Sequence, residues 1–434
     1  MGTLFDFLIF IGVLIFVHEL GHFLMAKLFG VKVEIFSIGF GPPIFRKKIG
    51  DTVYQIALIP LGGYVKMYGE EDTDEARKDP RSFYAKPPWQ RILIAFGGPL
   101  FNLLFAIFAF WVVFVTPKTI YVPGNTVGVV LTNSTFAQYG IKPGYKIVAV
   151  DGKPVRNWYD FETYLSENWG KTVSITFEAP DGKKITVKVE LNKKLKRLGI
   201  EPYIPPVVAK VMKDSPAQQV GIKPGDRIVA VDGKPVKTWE DLLEYMKHYK
   251  GDKPLKITVL RNGKELTFTV IPKKYGNRYI IGVEVQFPEK VVIKHGPVEA
   301  LKLAIDKTVF LATLTVKAIW WLITGKLSVH TLGGPLAIAG FAHKAAEEGL
   351  ITFINAMGVL SVQLALFNLI PLPLLDGGLI LLFLIEWIRG KPLPKKFVEW
   401  WVRIGIVIIG GLMLFIISQD LIRFLTTGQL MPKP

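Results

Sequence analysis

Four apolar stretches of membrane-spanning length constrain the fold of this chain more than any other feature of its sequence. A helix needs about 20 apolar residues to cross a hydrocarbon core of about 30 Å. The stretches cover Leu4–Phe29, Ile92–Val115, Ile351–Trp387 and Ile404–Leu425. No Lys or Arg precedes the first stretch and no small-residue cleavage site follows it, so we expect a retained span rather than a signal peptide.

The composition indicates a membrane protein with a large water-exposed part. Half of the 434 residues are hydrophobic and 21% are charged, an average that excludes both disorder and an entirely soluble enzyme. A net charge of +17 suits a nucleic-acid binder or basic loops beside anionic lipids. We favour the lipid interpretation because the sequence contains no motif that recognises nucleic-acid bases. The absence of cysteine excludes disulfides, a cysteine nucleophile and cysteine-ligated metals.

A fifth apolar segment, Thr308–Thr324, is ambiguous. Charged residues precede it and apolar residues recur at helical spacing, which predicts an amphipathic helix in the membrane interface. With four spans, the basic loops 27–91 and 389–403 lie on one side of the membrane. The positive-inside rule then places both loops in the cytoplasm and both termini outside. A fifth span would separate the two loops, so we predict four.

The long segment between the second and third apolar stretches contains an internal repeat. Residues 140–155 return as residues 221–236 with 14 of 16 positions identical, which predicts two tandem domains of about 80 residues. Each copy has a Lys-Pro-Gly turn, an Ile-Val-Ala-Val strand, an Asp-Gly turn, an amphipathic helix and alternating strands. The pattern resembles PDZ domains, and a generic small α+β repeat is the alternative.

Ionisable residues inside the first apolar stretch predict a metal site. His18 and His22 are four residues apart, so a helix presents both imidazoles on one face with Glu19 beside them. Two neutral imidazoles and one carboxylate suit zinc with an open position for water, whose proton Glu19 would accept as a general base. A purely structural role is a weak alternative, because an unpaired ionisable group within a membrane costs about 3 kcal/mol.

We expect Asp376 to supply the third metal ligand. It is the only acidic residue between Leu350 and Ile385, it follows Pro371 and Pro373, and two glycines come directly after it. Prolines lack a backbone donor and glycines permit tight turns, which predicts an unwound stretch buried in protein or lining a wet cavity. The alternative is that Asp376 only caps the next helix.

Two further features predict where a substrate binds. The Asn368 amide could donate a hydrogen bond to a substrate, or the residue could only cap a helix. Residues 32–67 alternate like two strands with glycine-rich turns, and an unpaired strand edge could hold an unwound substrate. A structural hairpin is the alternative. The residues that we assign to substrate contacts are Asn368, Gly41, Tyr54, Pro371 and Pro373.

The motif His18–His22, the segment 62–67, the tandem repeat and the segment 368–378 together resemble the bacterial site-2 protease family of intramembrane zinc metalloproteases with tandem PDZ domains. The resemblance implies that His18, His22 and Asp376 bind zinc, that Glu19 is the general base and that Asn368 contacts substrate. Leu379 departs from the pattern, because relatives commonly have a polar residue there.

The resemblance also implies the partners. Substrates would be single-span membrane proteins already trimmed by another protease, of the anti-sigma factor type or signal-peptide remnants. The PDZ pair would act as a size filter or regulator and could bind peptide C-termini at loops near residues 197–200 and 279–282. Beyond these and the lipid bilayer, we expect no nucleic-acid partner.

We therefore predict an α-helical polytopic core of four transmembrane helices with a membrane-associated β-hairpin and two inserted α+β PDZ domains. We expect it in the inner membrane, with the PDZ domains periplasmic and the active site towards the cytoplasm. The rival functions are a PDZ-based membrane scaffold with a structural or inactive metal site and a metal transporter. The predicted segments are 1–30 (first span with the zinc motif), 31–91 (hairpin and loop), 92–116 (second span), 122–203 and 204–288 (PDZ domains), 295–348 (interfacial helix region), 350–388 (third span with the Leu-Asp-Gly-Gly motif) and 402–426 (fourth span).

Overall fold

The computed structural model describes residues 2–71, 73–132, 134–191, 199–251, 253–276, 278–327 and 333–427. The chain divides into two compact units. The membrane unit comprises Met1–Pro117 and Lys294–Pro434, and the inserted unit comprises Lys118–Ile293. The inserted unit therefore interrupts the membrane unit in sequence, between its second and third apolar stretches.

The N-terminal part of the membrane unit has two long helices separated by two long strands. The second long helix begins with Pro88 at its first position, where the N–H that proline lacks has no intrahelical partner in any case. The elements are α1 (Gly2–Leu28), β1 (Val33–Ile49), β2 (Thr52–Met67), α2 (Asp74–Lys78) and α3 (Pro88–Val115).

Strands β1 and β2 fold over and form more than the simple hairpin predicted from the sequence. Residues 33–38 pair with 63–67 on one side and with 53–56 on the other, and residues 43–49 pair with 52–57. β1 bends at Gly39 and Gly41, whose φ angles of +92° and +89° favour glycine. The fold-over leaves residues 63–67 at one edge of the sheet.

The inserted unit contains two similar α+β domains, and its first and last strands pair with each other. Among the described residues each domain has one four-stranded sheet, with strands in the order 153–154, 146–150, 172–178 and 184–190 in the first domain and 234–235, 227–231, 255–261 and 264–270 in the second. The first domain and the opening strand are β3 (Lys118–Val122), β4 (Val127–Val130), α4 (Thr135–Gln138), β5 (Lys146–Val150), β6 (Lys153–Pro154), α5 (Trp158–Glu167), β7 (Thr172–Glu178), β8 (Lys184–Glu190) and β9 (Ile200–Pro202).

The second domain repeats this order with one additional pair of short strands, Lys273–Tyr275 and Arg278–Ile280, and is followed by the closing strand. Its elements are β10 (Val208–Val211), α6 (Pro216–Val220), β11 (Arg227–Val231), β12 (Lys234–Pro235), α7 (Trp239–His248), β13 (Leu255–Arg261), β14 (Lys264–Val270), β15 (Lys273–Tyr275), β16 (Arg278–Ile280), β17 (Val283–Val285) and β18 (Glu289–Ile293).

The sequence repeat is also a repeat of local hydrogen bonding. Asp151 and Asp232 occupy equivalent turns with φ of 47° and 48°. The Asp151 carboxylate accepts from the Ser174 backbone N–H at 2.7 Å, and Asp232 accepts from the Lys256 N–H at 2.8 Å. In each domain one aspartate thus ties a tight turn to the neighbouring strand.

The C-terminal part of the membrane unit contains five helices within the described residues 294–327 and 333–427. The predicted third span is two helices, because Pro371 and Pro373 lie in the connection and cannot donate backbone hydrogen bonds. In the part of the chain that the structure describes, four helices are long and apolar enough to cross a membrane, namely Gly2–Leu28, Pro88–Val115, Leu350–Asn368 and Lys395–Thr426, which agrees with the predicted number. The five helices are α8 (Pro297–Ile323), α9 (Pro335–Glu347), α10 (Leu350–Asn368), α11 (Asp376–Arg389) and α12 (Lys395–Thr427).

Helix α8 covers the ambiguous segment 308–324 and packs on α3 and α10. The Lys307 ammonium donates to Asn355 Oδ1 at 2.6 Å and lies 4.3 Å from the centre of the Phe110 ring. Lys307, which precedes the apolar segment, therefore binds α10 through Asn355 and contacts α3 through Phe110.

Candidate metal centre

Two imidazoles of α1 point at the same place. The spacing of four residues stacks His18 and His22 one turn apart on one helix face. Their Nε2 atoms are 3.3 Å apart. Both Nε2 atoms therefore face one point beside the helix, where a ligand could contact them together.

Asp376 approaches that point from the first turn of α11. Its Oδ2 lies 3.1 Å from His18 Nε2, and its Oδ1 lies 3.3 Å from His22 Nε2. A tetrahedral zinc ion with bonds of about 2.0 Å would hold its ligand atoms roughly 3.3 Å apart. The donor set is thus the right size, charge and chemistry for zinc with a fourth position open.

A hydrogen bond at Nδ1 of His22 leaves its Nε2 free to bind a metal. Nδ1 lies 2.9 Å from the backbone carbonyl oxygen of Ile94 on α3. A carbonyl can only accept, so Nδ1 carries the proton and donates it, which leaves a lone pair on Nε2. This is the tautomer that a metal ligand requires.

Nδ1 of His18 faces the side-chain amide of Asn102 on α3. The Asn102 amide lies 3.1 Å from His18 Nδ1 with its nitrogen inward, and its Oδ1 is buried without a partner. The two amide orientations are chosen by hydrogen bonding, and the reverse one satisfies both groups by letting Oδ1 accept from Nδ1–H. That orientation again frees Nε2, so the orphaned oxygen fits a metal at the centre.

The backbone of α3 lies directly against the histidines. A Cβ atom added to Gly98 would lie 2.4 Å from His22 Nε2 and 2.7 Å from His18 Cε1. No larger residue fits between the helix and the imidazoles. The glycines before Pro99 therefore serve the close approach of α3 to the imidazoles.

Asn368 and Glu19 complete the polar groups at the centre. Asn368 is the last residue of α10, and its Nδ2 lies 3.4 Å from His18 Nε2. Glu19 lies against the sheet edge, because a Cβ on Gly63 would be 2.9 Å from Glu19 Cγ. The amide and the carboxylate thus approach the same place from different elements.

These residues line an open cavity of about 480 Å³. One wall is the sheet edge at Gly63, Tyr64 and Val65. Glu70 also lines the cavity, where it accepts from the Met67 backbone N–H at 3.0 Å, and burial raises the pKa of its carboxyl. An extended backbone placed along this edge would lie beside the metal centre.

Four residues assigned to substrate lie elsewhere. Gly41 is on the exposed part of β1, and the Tyr54 ring packs 6.0 Å from the Phe23 ring. Pro371 is exposed, whereas Pro373 is buried against Gly405 of α12. None of the four is among the residues lining the cavity in the part of the chain that the structure describes.

The contacts that hold the predicted ligands in place were not predicted from the sequence. Asn102 is a polar residue in an apolar stretch, which was a usable signal, but nothing in the sequence paired it with His18. Arg91 of α3 is buried and binds Glu386 of α11 through two hydrogen bonds of 3.1 and 2.7 Å. Their separation of 295 residues hid this pair from local patterns.

Comparison with known proteins identifies relatives across most of the chain. The profile of peptidase family M50 matches residues 6–412. Regulator of sigma-E protease RseP of Escherichia coli (strain K12) is 39% identical over 443 residues, with 94% of this chain and 97% of that protein covered. A putative zinc metalloprotease of Vibrio cholerae is 33% identical over 444 residues, with 96% and 98% covered.

Among solved structures, the HtrA3 PDZ domain bound to a phage-derived ligand matches 41% of this chain and 92% of its own length. The identity is 15% and the TM-score is 0.14, a score too low to establish a common fold. The description of the inserted domains therefore stays at two α+β repeats.

Proposed function

We propose that this chain, which belongs to peptidase family M50 and is a zinc metalloprotease of the inner membrane, cleaves transmembrane segments of single-span proteins whose outer domains have been removed. The observation that carries the proposal is the convergence of His18, His22 and Asp376 beside a membrane-spanning helix. Ionisable groups are costly in such a place unless they bind a partner or perform a function.

The roles of the residues follow from their chemistry. His18 and His22 would hold zinc through Nε2, and Asp376 would hold it through its carboxylate. When bound, zinc acts as a Lewis acid that polarises the substrate carbonyl and lowers the pKa of a bound water molecule to about 7. The Glu19 carboxylate would accept the proton of the attacking water and deliver it to the leaving nitrogen. The Asn368 amide would donate to the substrate carbonyl oxygen.

The sheet edge at 63–67 would hold the substrate in an extended form. A transmembrane helix satisfies its own backbone hydrogen bonds, so its carbonyls are inaccessible until it unwinds. Pairing with the edge strand would replace the hydrogen bonds that are lost and align the chain with the metal centre. Contacts of Gly41, Tyr54, Pro371 and Pro373 with substrate stay predictions.

The inserted unit would select substrates. The sequence repeat supports PDZ domains, and the basic loops support a periplasmic position for them. Peptide ends would bind near 279–282 in the second domain, whereas residues 197 and 198 of the equivalent loop lie outside the described residues. Because a relative is named regulator of sigma-E protease, we propose anti-sigma factors as the substrate class.

Metal analysis and cleavage measured on the same preparations test the proposal. The detergent-purified protein should contain one zinc ion and cut a trimmed single-span reporter, and Asp376→Asn should lower both zinc content and cleavage. Asp420→Asn is the matched control, because Asp420 lies in α12 and caps α9 instead of facing the histidines. Full zinc content in Asp376→Asn would contradict the ligand assignment.

A further inference from the structure

A second cavity in the membrane unit lies between α1, α9 and α10. Its volume is about 580 Å³. Among its described lining residues, Gln363 is the only one with a polar side chain. The apolar side chains that define this groove are Ile11, Ile338, Phe341, Leu360, Leu364 and Phe367.

The groove and the metal centre lie on the same faces of the same two helices. Ile11 precedes His18 by seven residues, which is about two turns and roughly 10 Å along α1. On α10, Leu364 precedes Asn368 by four residues, about one turn or roughly 6 Å. The groove therefore continues the line of the catalytic cavity along the helices, towards the N-terminal ends of α1 and α10.

The groove and the cavity at the metal centre are lined by neighbouring residues at the C-terminal end of α10. Phe367 lines the groove and Asn368 lines the catalytic cavity. The Phe341 and Phe367 side chains are 37% and 38% exposed, so both rings can still bury area on a ligand. Aromatic anchors of this kind contribute strongly when a partner covers them.

We propose that this groove binds the part of the substrate's transmembrane segment that is still helical, next to the unwound part at the metal centre. The inference rests on the proposed function and adds a second binding site to it. When the unwound part of the segment lies at the metal centre, the part that is still helical must extend from one end of that cavity. The groove offers this helical part an apolar surface along the same helices. Gln363 gives the path one group that can hydrogen-bond a polar residue of the substrate helix.

Cross-linking tests the position of the substrate, and the absence of cysteine from the chain makes each introduced cysteine unique. The probe is a single-span reporter with short tags, an apolar Leu/Ala segment of about 20 residues with a central glycine pair, and one cysteine at successive positions. The protease carries Glu19→Gln, so that the reporter stays uncut, together with Gln363→Cys or Leu360→Cys. Leu414→Cys on α12, where Leu414 is 72% exposed, is the control.

When a mild chemical oxidant is added to accept the two electrons, the expected result is a disulfide from both groove cysteines to reporter positions on one side of the scissile bond. The Leu360→Cys contacts should lie farther from that bond than the Gln363→Cys contacts, and Leu414→Cys should give none. Equal cross-linking at all three positions would mean that the contacts are non-specific, and no cross-linking at the two groove positions would mean that lipid occupies the groove. Either result would overturn the proposal.

Filling the groove gives an independent measurement in the cleavage-competent protein. Leu364→Trp should cut the reporter at least about tenfold more slowly while keeping its zinc content, whereas Leu414→Trp should cut at the wild-type rate. If Leu364→Trp cuts the reporter at the wild-type rate, the groove proposal is wrong and the proposed function is unaffected. A wild-type protein that binds zinc and cuts no single-span reporter would instead contradict the proposed function, and the groove proposal with it.

Discussion

At the scale of single residues, Glu19 separates a peptidase from a structural metal site. It lines the cavity beside both histidines without being one of the three converging ligands. Glu19→Gln keeps the size of the side chain and removes its ability to accept a proton. We expect zinc content to be unchanged and cleavage to fall by about 10²- to 10⁴-fold.

Metal analysis and a reporter assay on the same sample check this prediction. Glu34→Gln is a matched control, because Glu34 pairs with Lys66 at 3.2 Å and does not line the cavity. A Glu19→Gln protein that cuts as fast as Glu34→Gln would favour the scaffold or transporter interpretation of the site.

Asn102 is predicted to act on zinc through His18. If its amide oxygen accepts from Nδ1–H, then Asn102→Asp should keep zinc affinity, because a carboxylate accepts the same bond. Asn102→Leu should weaken zinc binding by about 10- to 100-fold, the usual effect of losing such a partner. Competition with a chelator measures the affinity directly.

Ser361→Ala provides the comparison for a general loss of packing. The Ser361 hydroxyl donates to the Asn102 backbone carbonyl at 2.8 Å, so the variant removes a buried hydrogen bond at the same place without touching His18. Its stability should fall by about 1 kcal/mol with zinc affinity unchanged. Equal zinc affinities in Asn102→Leu and Ser361→Ala would exclude the proposed role.

At the scale of elements, a buried ion pair fixes α11 against α3. The Arg91 guanidinium donates two hydrogen bonds to the Glu386 carboxylate and lies 4.7 Å from the centre of the Phe383 ring. Arg91→Met leaves the Glu386 carboxylate buried without its partner, which should cost about 3 to 5 kcal/mol. Because α11 also carries Asp376, we expect zinc affinity to fall as well.

The double variant Arg91→Met/Glu386→Met should recover most of the lost stability, since two apolar side chains of similar volume replace a pair that is costly to desolvate. Thermal unfolding in detergent measures this effect. A double variant less stable than Arg91→Met would contradict the explanation.

In the inserted unit, an ion pair distinguishes the two repeats. Asp226 accepts hydrogen bonds of 2.6 Å from Arg261 Nε and from its Nη2. Burial alone would raise the pKa of Asp226, but the bonds from Arg261 outweigh it and hold the pKa below the ordinary 3.8. The first repeat has Tyr145 at the position of Asp226 and, by the strand pairing, Ala179 at the position of Arg261, so it cannot form this pair.

The sign of the pH dependence follows from the lowered pKa. The pair stabilises the second domain above the unfolded pKa of about 3.9, and this contribution is lost as the pH falls through the folded value. Arg261→Met should therefore speed amide exchange in β11 and β13 at pH 7, and the difference from the wild type should be smaller at pH 2. A difference of the same size at both pH values, measured by mass spectrometry, would argue against the pair.

At the scale of the whole molecule, the inserted unit is predicted to exclude substrates that still carry a bulky outer domain. Deleting Val127–Phe287 leaves β3 and β18, which pair from Lys118↔Ile293 to Val122↔Glu289, joined by a short loop. We expect the shortened protein to cut an untrimmed reporter that the full chain leaves intact. The trimmed reporter is the control and should be cut by both proteins. Unchanged resistance of the untrimmed reporter would count against the size filter.

The local parts of this protein could be predicted from its sequence. The four candidate spans follow from runs of apolar residues, and the tandem domains follow from an almost exact repeat. The shared face of His18 and His22 follows from helical periodicity. The folded-over sheet was not predicted, because strand alternation gives the direction of side chains and does not give which segments pair.

By itself, the sequence determined which side chains were available: two imidazoles on one helix face, a glutamate beside them and one aspartate in a proline-broken apolar stretch. Only the tertiary structure decided how that chemistry is held. The Ile94 carbonyl, the Asn102 amide and the Arg91–Glu386 pair act between elements far apart in the chain. Periodicity reports on neighbours along one helix or strand, whereas these contacts depend on which helices pack together and in what register.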